Sequence, residues 1–80
     1  MRAIVNVYLK EGILDPQGKA TLHALKTLGF DGIGSVRIGK QIVLSLSAAD
    51  KESAKAEAEK MAKELLVNEV IEEFSIEIAK

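Results

Sequence analysis

Between Ser35 and Ser47 the chain reads SVRIGKQIVLSLS, with branched apolar residues alternating with polar ones on both sides of a glycine. Val36 and Ile38 alternate with Ser35 and Arg37; beyond the glycine, Ile42, Leu44 and Leu46 alternate with Val43 and Ser45. Period-two alternation marks a half-buried strand, so this stretch predicts a β-hairpin. A two-residue Gly39-Lys40 turn would set Ile38 against Gln41 and split the apolar residues between faces. A three-residue loop, Gly39-Lys40-Gln41, sets Ile38 against Ile42 and Val36 against Leu44, so one face is uniformly apolar. Gly39 then suits the left-handed position such a loop needs.

The rest of the pattern supplies one strand and one helix on each side. Ala3 to Leu9 alternates as a first strand, with Ala3, Val5, Val7 and Leu9 on one face and Ile4, Asn6 and Tyr8 on the other. Asp15-Pro16-Gln17-Gly18 reads as a helix start: a carboxylate that accepts from a free N–H, then a proline where no intrahelical N–H is needed. Gly18 in the first turn costs roughly 1 kcal/mol against alanine, which predicts a close neighbour above that end. Leu22, Ala24, Leu25 and Leu28 form the helical stripe, Gly29 stops the helix, and Phe30 is expected to tuck beneath it. Asp50 is the expected cap of a second helix, whose buried face is Ala54, Ala58, Met61, Ala62 and Leu65, with Asn68 as a left-handed stop. Phe74, Ile76 and Ile78 alternate with Ser75 and Glu77 in a last strand.

The order strand, helix, strand, strand, helix, strand predicts an α+β fold. With right-handed crossovers it is a ferredoxin-like βαββαβ two-layer sandwich, a four-stranded antiparallel sheet with both helices on one face, in a single domain over residues 1–80. With the first and third strands central, the helix-free face shows Ile4, Asn6, Tyr8, Val43 and Ser45, rimmed by Arg37, Ser75 and Glu77. An apolar centre of Ile4, Tyr8 and Val43 in a polar rim predicts a self-association face.

Composition sharpens this. Eighty residues, 48% hydrophobic but 4% aromatic, give a small aliphatic core. With no cysteine there is no disulfide to reinforce it, so self-association as a homodimer or tetramer is expected. The net charge of -1 argues against a nucleic-acid or membrane-surface binder. Residues 1 to 49 carry six Lys/Arg and three acids, residues 50 to 80 five and nine, a polarity that fits packing between copies or onto a partner. Neither an export signal nor a membrane-length apolar run is visible, which together with the missing cysteines suggests the cytoplasm.

Reactive chemistry is sparse. Gly34 to Lys40 matches most of a phosphate-binding loop, but Gln41 stands where Ser or Thr should bind magnesium, and a strand follows where a helix is needed. His23, the single histidine, sits on a helix without a nucleophile motif elsewhere. Glu52, Glu57, Glu59 and Glu64 alternate with lysines as a solvated face. Base stacking on an RNA-recognition sheet would have only Tyr8 to work with. Arg37 and Lys40 remain open to two readings, solvated turn cations or contacts for an anion or a partner's carboxylate.

Four segments in register carry a family resemblance: VYLKEGILDPQG (Val7 to Gly18), Ala24, Leu25 and Leu28 to Phe30, VRIGK (Val36 to Lys40), and LLVNEVIEEF (Leu65 to Phe74). Together they resemble the PurS family, the small subunit of phosphoribosylformylglycinamidine synthase. The resemblance implies a non-catalytic subunit, without a cofactor of its own. It would bridge a glutaminase, PurQ, and a synthetase, PurL, which uses ATP and magnesium, so that ammonia passes within the complex. Under it Asp15, Pro16 and Gly18 at the helix entry, and Arg37, Gly39 and Lys40 at the hairpin, are partner contacts; alternatively they only hold turns and caps. A different class also stays open, a ferredoxin-like regulatory module binding a small ligand at a dimer interface.

Overall fold

The computed structural model describes residues 1–79. In chain order it forms β1 (Arg2–Leu9), α1 (Pro16–Thr27), β2 (Lys40–Ser45), α2 (Lys51–Met61), a π-helical turn (Ala62–Leu66) and β3 (Glu72–Ala79). The three strands make one antiparallel sheet in the order β2-β1-β3.

Strand β1 sits in the middle because both of its edges are matched. Ala3 and Val5 face Leu44 and Ile42 on one side, and Ile78 and Ile76 on the other, while Val7 faces Lys40 and Phe74. Ala3, Val5 and Val7 are therefore fully buried. Over them lies α2, whose Ala54 and Ala58, continued by Ala62, have no exposed surface. Alanines at this spacing let the helix axis approach the sheet closely, and the helix packs over β1 and β3. Val67 and the half-buried Leu66 complete the cluster. The stripe differs from its expected form at one end: Met61 is 37% and Leu65 84% exposed. The π turn has more residues per turn than an α-helix, so it carries the apolar stripe past Leu65 to Leu66 and Val67. Asn68 does not adopt the left-handed conformation expected of it. Its carbonyl accepts from Ile71 and Glu72, and its side chain accepts from Val70, which makes the turn into β3.

The caps of both helices are as the sequence predicts. Asp15 accepts from Gly18 N–H at 2.8 Å and Asp50 from Ser53 N–H at 2.8 Å. Gly29, at φ 99°, closes α1, with its N–H on Lys26 O and the Phe30 N–H on Leu25 O, a Schellman arrangement. Phe30 does not tuck under the helix: it is 57% exposed.

The hairpin is absent. Lys40 and Gln41, expected in its loop, are strand residues paired with Val7 and Asn6 of β1. Residues 33–39 pair with no strand, and β2 is an edge, not the central strand the four-stranded arrangement requires. Nor is Gly39 left-handed; a Cβ there would lie 2.6 Å from Val7 O, so close passage of two backbones is what demands glycine. The two helices do not share a face either. Only α2 covers the sheet, and neither the strands nor α2 packs along α1, in which Gly18 is the sole buried residue.

Helix α1 and the extended residues 33–38 instead form an arm at the end of the sheet. The radius of gyration, 15.9 Å, exceeds the roughly 12 Å of a compact chain of this length. The accessible surface, 5710 Å², is larger than the roughly 4,700 Å² of a compact protein of this mass.

Candidate functional site: the cleft at the base of the arm

Six residues singled out in the sequence, Asp15, Pro16, Gly18, Arg37, Gly39 and Lys40, converge where the arm leaves the sheet. Asp15 organises the place. Its Oδ1 accepts from Gly18 N–H and its Oδ2 from Ile38 N–H at 2.8 Å, so one carboxylate ties the first turn of α1 to the returning extended segment. Gly18 allows this approach: a Cβ there would lie 2.2 Å from Val36 O, the close neighbour its cost predicts. Arg37 reaches the other way, donating from Nη2 to Leu9 O at 2.8 Å and Lys10 O at 3.2 Å, with Nε 4.0 Å from Asp15 Oδ2.

These contacts give four of the six residues structural duties. Arg37 and Asp15 latch the arm, and Gly18 and Gly39 let its two passes lie close. Lys40 differs: it is exposed, and among the described residues its ammonium has no hydrogen bond or ion pair. It rims a cleft of about 260 Å³ with Val7, Tyr8, Leu9, Asp15, Pro16, Gln17, Ile38, Gly39 and Glu72. The carbonyls of Leu9 and Lys10, the Ile38 N–H and Glu72 are the participants that sequence reasoning missed. The first three act through backbone atoms, on which residue identity leaves no mark.

The Asp15 carboxyl is held below its ordinary value, first by the Ile38 N–H, then by the Gly18 N–H, with Arg37 adding a smaller pull against burial. A carboxylate depressed in the folded state stabilises fully above its unfolded value and loses that contribution as pH falls through the folded value. Thermal stability of the chain is thus expected to be flat above about pH 5 and to fall below about pH 4. An Asp15→Asn variant should start lower at neutral pH and show a shallower acid limb. An acid limb of unchanged steepness in that variant would remove Asp15 as its source.

The helix-free face keeps its predicted composition on three strands instead of four. Ile4 pairs with Val43 and Glu77, Asn6 with Gln41 and Ser75, and Tyr8 with Glu73. Gln41 donates to Asn6 Oδ1 at 2.9 Å. Val43 is 52% and Tyr8 42% exposed, and Ile4 is half-buried between them. Arg37, expected on the rim, belongs to the arm. Among the described residues no group of three or more His, Cys, Asp or Glu could hold a metal ion, and no helix is long and apolar enough to cross a membrane.

The sequence model of the PurS family, described as phosphoribosylformylglycinamidine (FGAM) synthase, matches residues 2–80. The chain belongs to the PurS family. Among curated members, the PurS subunit of the FGAM synthase of Synechocystis is 43% identical over 74 residues, 92% of this chain and 74% of that one. That of Archaeoglobus fulgidus is 42% identical over 76 residues, 95% of each. In three dimensions the chain matches Methanocaldococcus jannaschii PurS with a TM-score of 0.89, at 37% identity and covering 99% and 95% of the two chains. That protein is a subunit of formylglycinamide ribonucleotide amidotransferase of purine biosynthesis. A chain of the Thermotoga maritima PurLQS structure matches with a TM-score of 0.87, 30% identity and coverage of 95% and 93%. The α+β architecture is therefore shared with these PurS structures over nearly the whole chain.

Proposed function

We propose that this chain is the small, non-catalytic subunit of phosphoribosylformylglycinamidine synthase. It holds a PurQ-type glutaminase against a PurL-type synthetase so that ammonia passes between them. The observation that carries this reading is the near full-length match to a chain of an assembly, PurLQS, joined to family membership across the sequence. ATP and magnesium act on the large subunit in this reading, and the complex works in the cytoplasm.

Two surfaces supply the adhesion. One is the helix-free sheet face around Ile4, Tyr8 and Val43, where Tyr8 and Val43 present apolar surface to solvent. The other is the cleft rim, where Lys40 offers a cation for a partner's carboxylate. The ferredoxin-like sandwich of four strands is completed only on association, when the extended residues 33–39 find a strand to pair with. The ligand-binding alternative gains nothing from the cleft, because both oxygens of its buried carboxylate already accept backbone N–H groups.

Mixing the chain with PurL- and PurQ-type subunits of its own organism is expected to give one species containing all three by size-exclusion chromatography with light scattering. Lys40→Glu should weaken its capture by about tenfold, the scale of one charge-assisted contact, with its circular dichroism unchanged. Reversal at Arg37 is a poorer test, since it also breaks the latch on Leu9 and Lys10. A chain that elutes alone while the larger subunits assemble and remain glutamine-active would overturn the proposal.

A further inference from the structure

The connection from α2 to β3 turns its apolar side chains outward. In a continued α-helix Leu65, three residues past Ala62 and seven past Ala58, would share their buried face. The π turn rotates it out to 84% exposed, and Val70 in the turn that follows is 80% exposed. A leucine is thus left outside a core whose largest fully buried side chains are Val5 and Val7. Single-turn π segments of this kind recur at functional positions.

The exposure does not come from a loose loop. Asn68 N–H donates to Glu72 Oε1 at 2.8 Å, and Asn68 Oδ1 accepts from Val70 N–H at 3.1 Å. Asn68 O accepts from both Ile71 N–H and Glu72 N–H. Ile71 O in turn accepts from Lys10 N–H at 2.9 Å, which fastens the turn to the end of β1. The polar groups of the turn are engaged within it, and Val70 is held out on a hydrogen-bonded frame. An apolar tip ordered in advance loses little entropy when a partner covers it.

Charge indicates what covers it. From Glu64 to Glu73 the chain has four glutamates and no lysine or arginine. Beside the turn an open cleft of about 340 Å³ has Glu69, Glu72 and Glu73 in its wall and Lys10 as its one cation. Glu72 is engaged by Asn68, but Glu69 and Glu73 are exposed and, among the described residues, make no hydrogen bond or ion pair. A second copy docked by the same surface about a twofold axis would set these carboxylates against themselves. The complementary surface is that of a different protein, apolar with basic flanks.

We propose that the turn from α2 to β3 is a docking surface for a larger subunit of the assembly. That subunit covers Leu65 and Val70 with apolar side chains and sets a Lys or Arg beside Glu69 and Glu73. Arginine suits the place best, because its planar fork bonds a carboxylate through two N–H groups. Lys40 calls for an acidic partner and this turn for a basic one, so a subunit that bridges two proteins presents two unlike contacts.

This inference rests on the reading of the chain as a bridging subunit and adds a surface and its chemistry. The test is the assembled complex with the photo-cross-linker p-benzoylphenylalanine in place of Val70, whose exposed side chain the fold does not use. The expected result is a cross-link to one larger subunit, mapped by mass spectrometry to an apolar segment flanked by Lys or Arg. Glu69→Lys/Glu73→Lys should weaken capture of the chain by about tenfold or more, and Glu69→Gln/Glu73→Gln by less, with circular dichroism unchanged in both. Lys55→Glu, at an exposed residue of α2, should leave capture unchanged. A complex that assembles but gives no cross-link from Val70, or one only to a second copy, would overturn the docking surface and leave the bridging role standing. Full-strength capture of the charge-reversed chain would overturn it too. A chain that enters no complex would overturn both the surface and the reading beneath it.

Discussion

Gly18→Ala is expected to cost the chain more stability than any other single methyl group. The added Cβ would stand 2.2 Å from Val36 O, and the carbonyl cannot rotate away because Ile38 N–H, two residues on, is held by Asp15. A Cβ has no rotamer and the carbonyl is backbone, so no side-chain change relieves the contact; the returning extended segment must move off the helix. Moving it breaks the bond from Ile38 to Asp15 and draws Arg37 from the carbonyls of Leu9 and Lys10. Overpacking costs about 1–3 kcal/mol, and a contact with backbone on both sides puts this one at about the upper end. For so small a chain that corresponds to a melting temperature lower by more than about 10 °C, read at matched protein concentration. Gly34→Ala is the control. It lies on the same arm, with nothing within 4 Å of its Cβ position and no left-handed φ, and it should be neutral or slightly stabilising. Equal melting temperatures for the two variants would show that the arm does not pass over the helix end as described.

The parts of this molecule that were legible in its sequence are those decided locally. Strand β1 and strand β3 declare themselves by alternation, and the ladder confirms which residues face inward. The caps at Asp15 and Asp50 follow from one side chain and the next turn, and Gly29 from the need for a left-handed residue after a helix. Even Gly18 was readable as a steric requirement, though not which atom imposed it.

What the sequence concealed are choices between two arrangements of equal local quality. The run from Ser35 to Ser47 alternates just as well when folded back at Gly39 as when drawn out straight. Whether Lys40 and Gln41 turn or pair depends on β1, thirty residues away, and on what covers β2. The end of α2 is a similar case, since a π turn shifts the stripe by one residue and trades Leu65 for Leu66 without altering the pattern's period before it. Among site residues, the convergence of Asp15 with Arg37 could be guessed from their charges, but their true partners are mostly backbone groups. Lys40 is the one charged residue of the six left without an internal duty, and it is therefore the position where an intermolecular role is best sought.

The second large effect concerns the complex. If this chain holds a glutaminase beside a synthetase, it matters when ammonia must cross between them and not when ammonia is already in solution. Juxtaposition converts a dilute diffusing intermediate into one delivered at high effective concentration. The loss on leaving the chain out should therefore depend on the nitrogen source. Formation of phosphoribosylformylglycinamidine by the larger subunits, followed with and without this chain, in parallel on glutamine and on saturating ammonium, is the most direct trial of this role. The expected result is a fall of at least about tenfold on glutamine and less than about twofold on ammonium when the chain is omitted. An equal fall on both nitrogen sources, or no fall on either, would contradict the view that the chain acts by bringing two enzymes together.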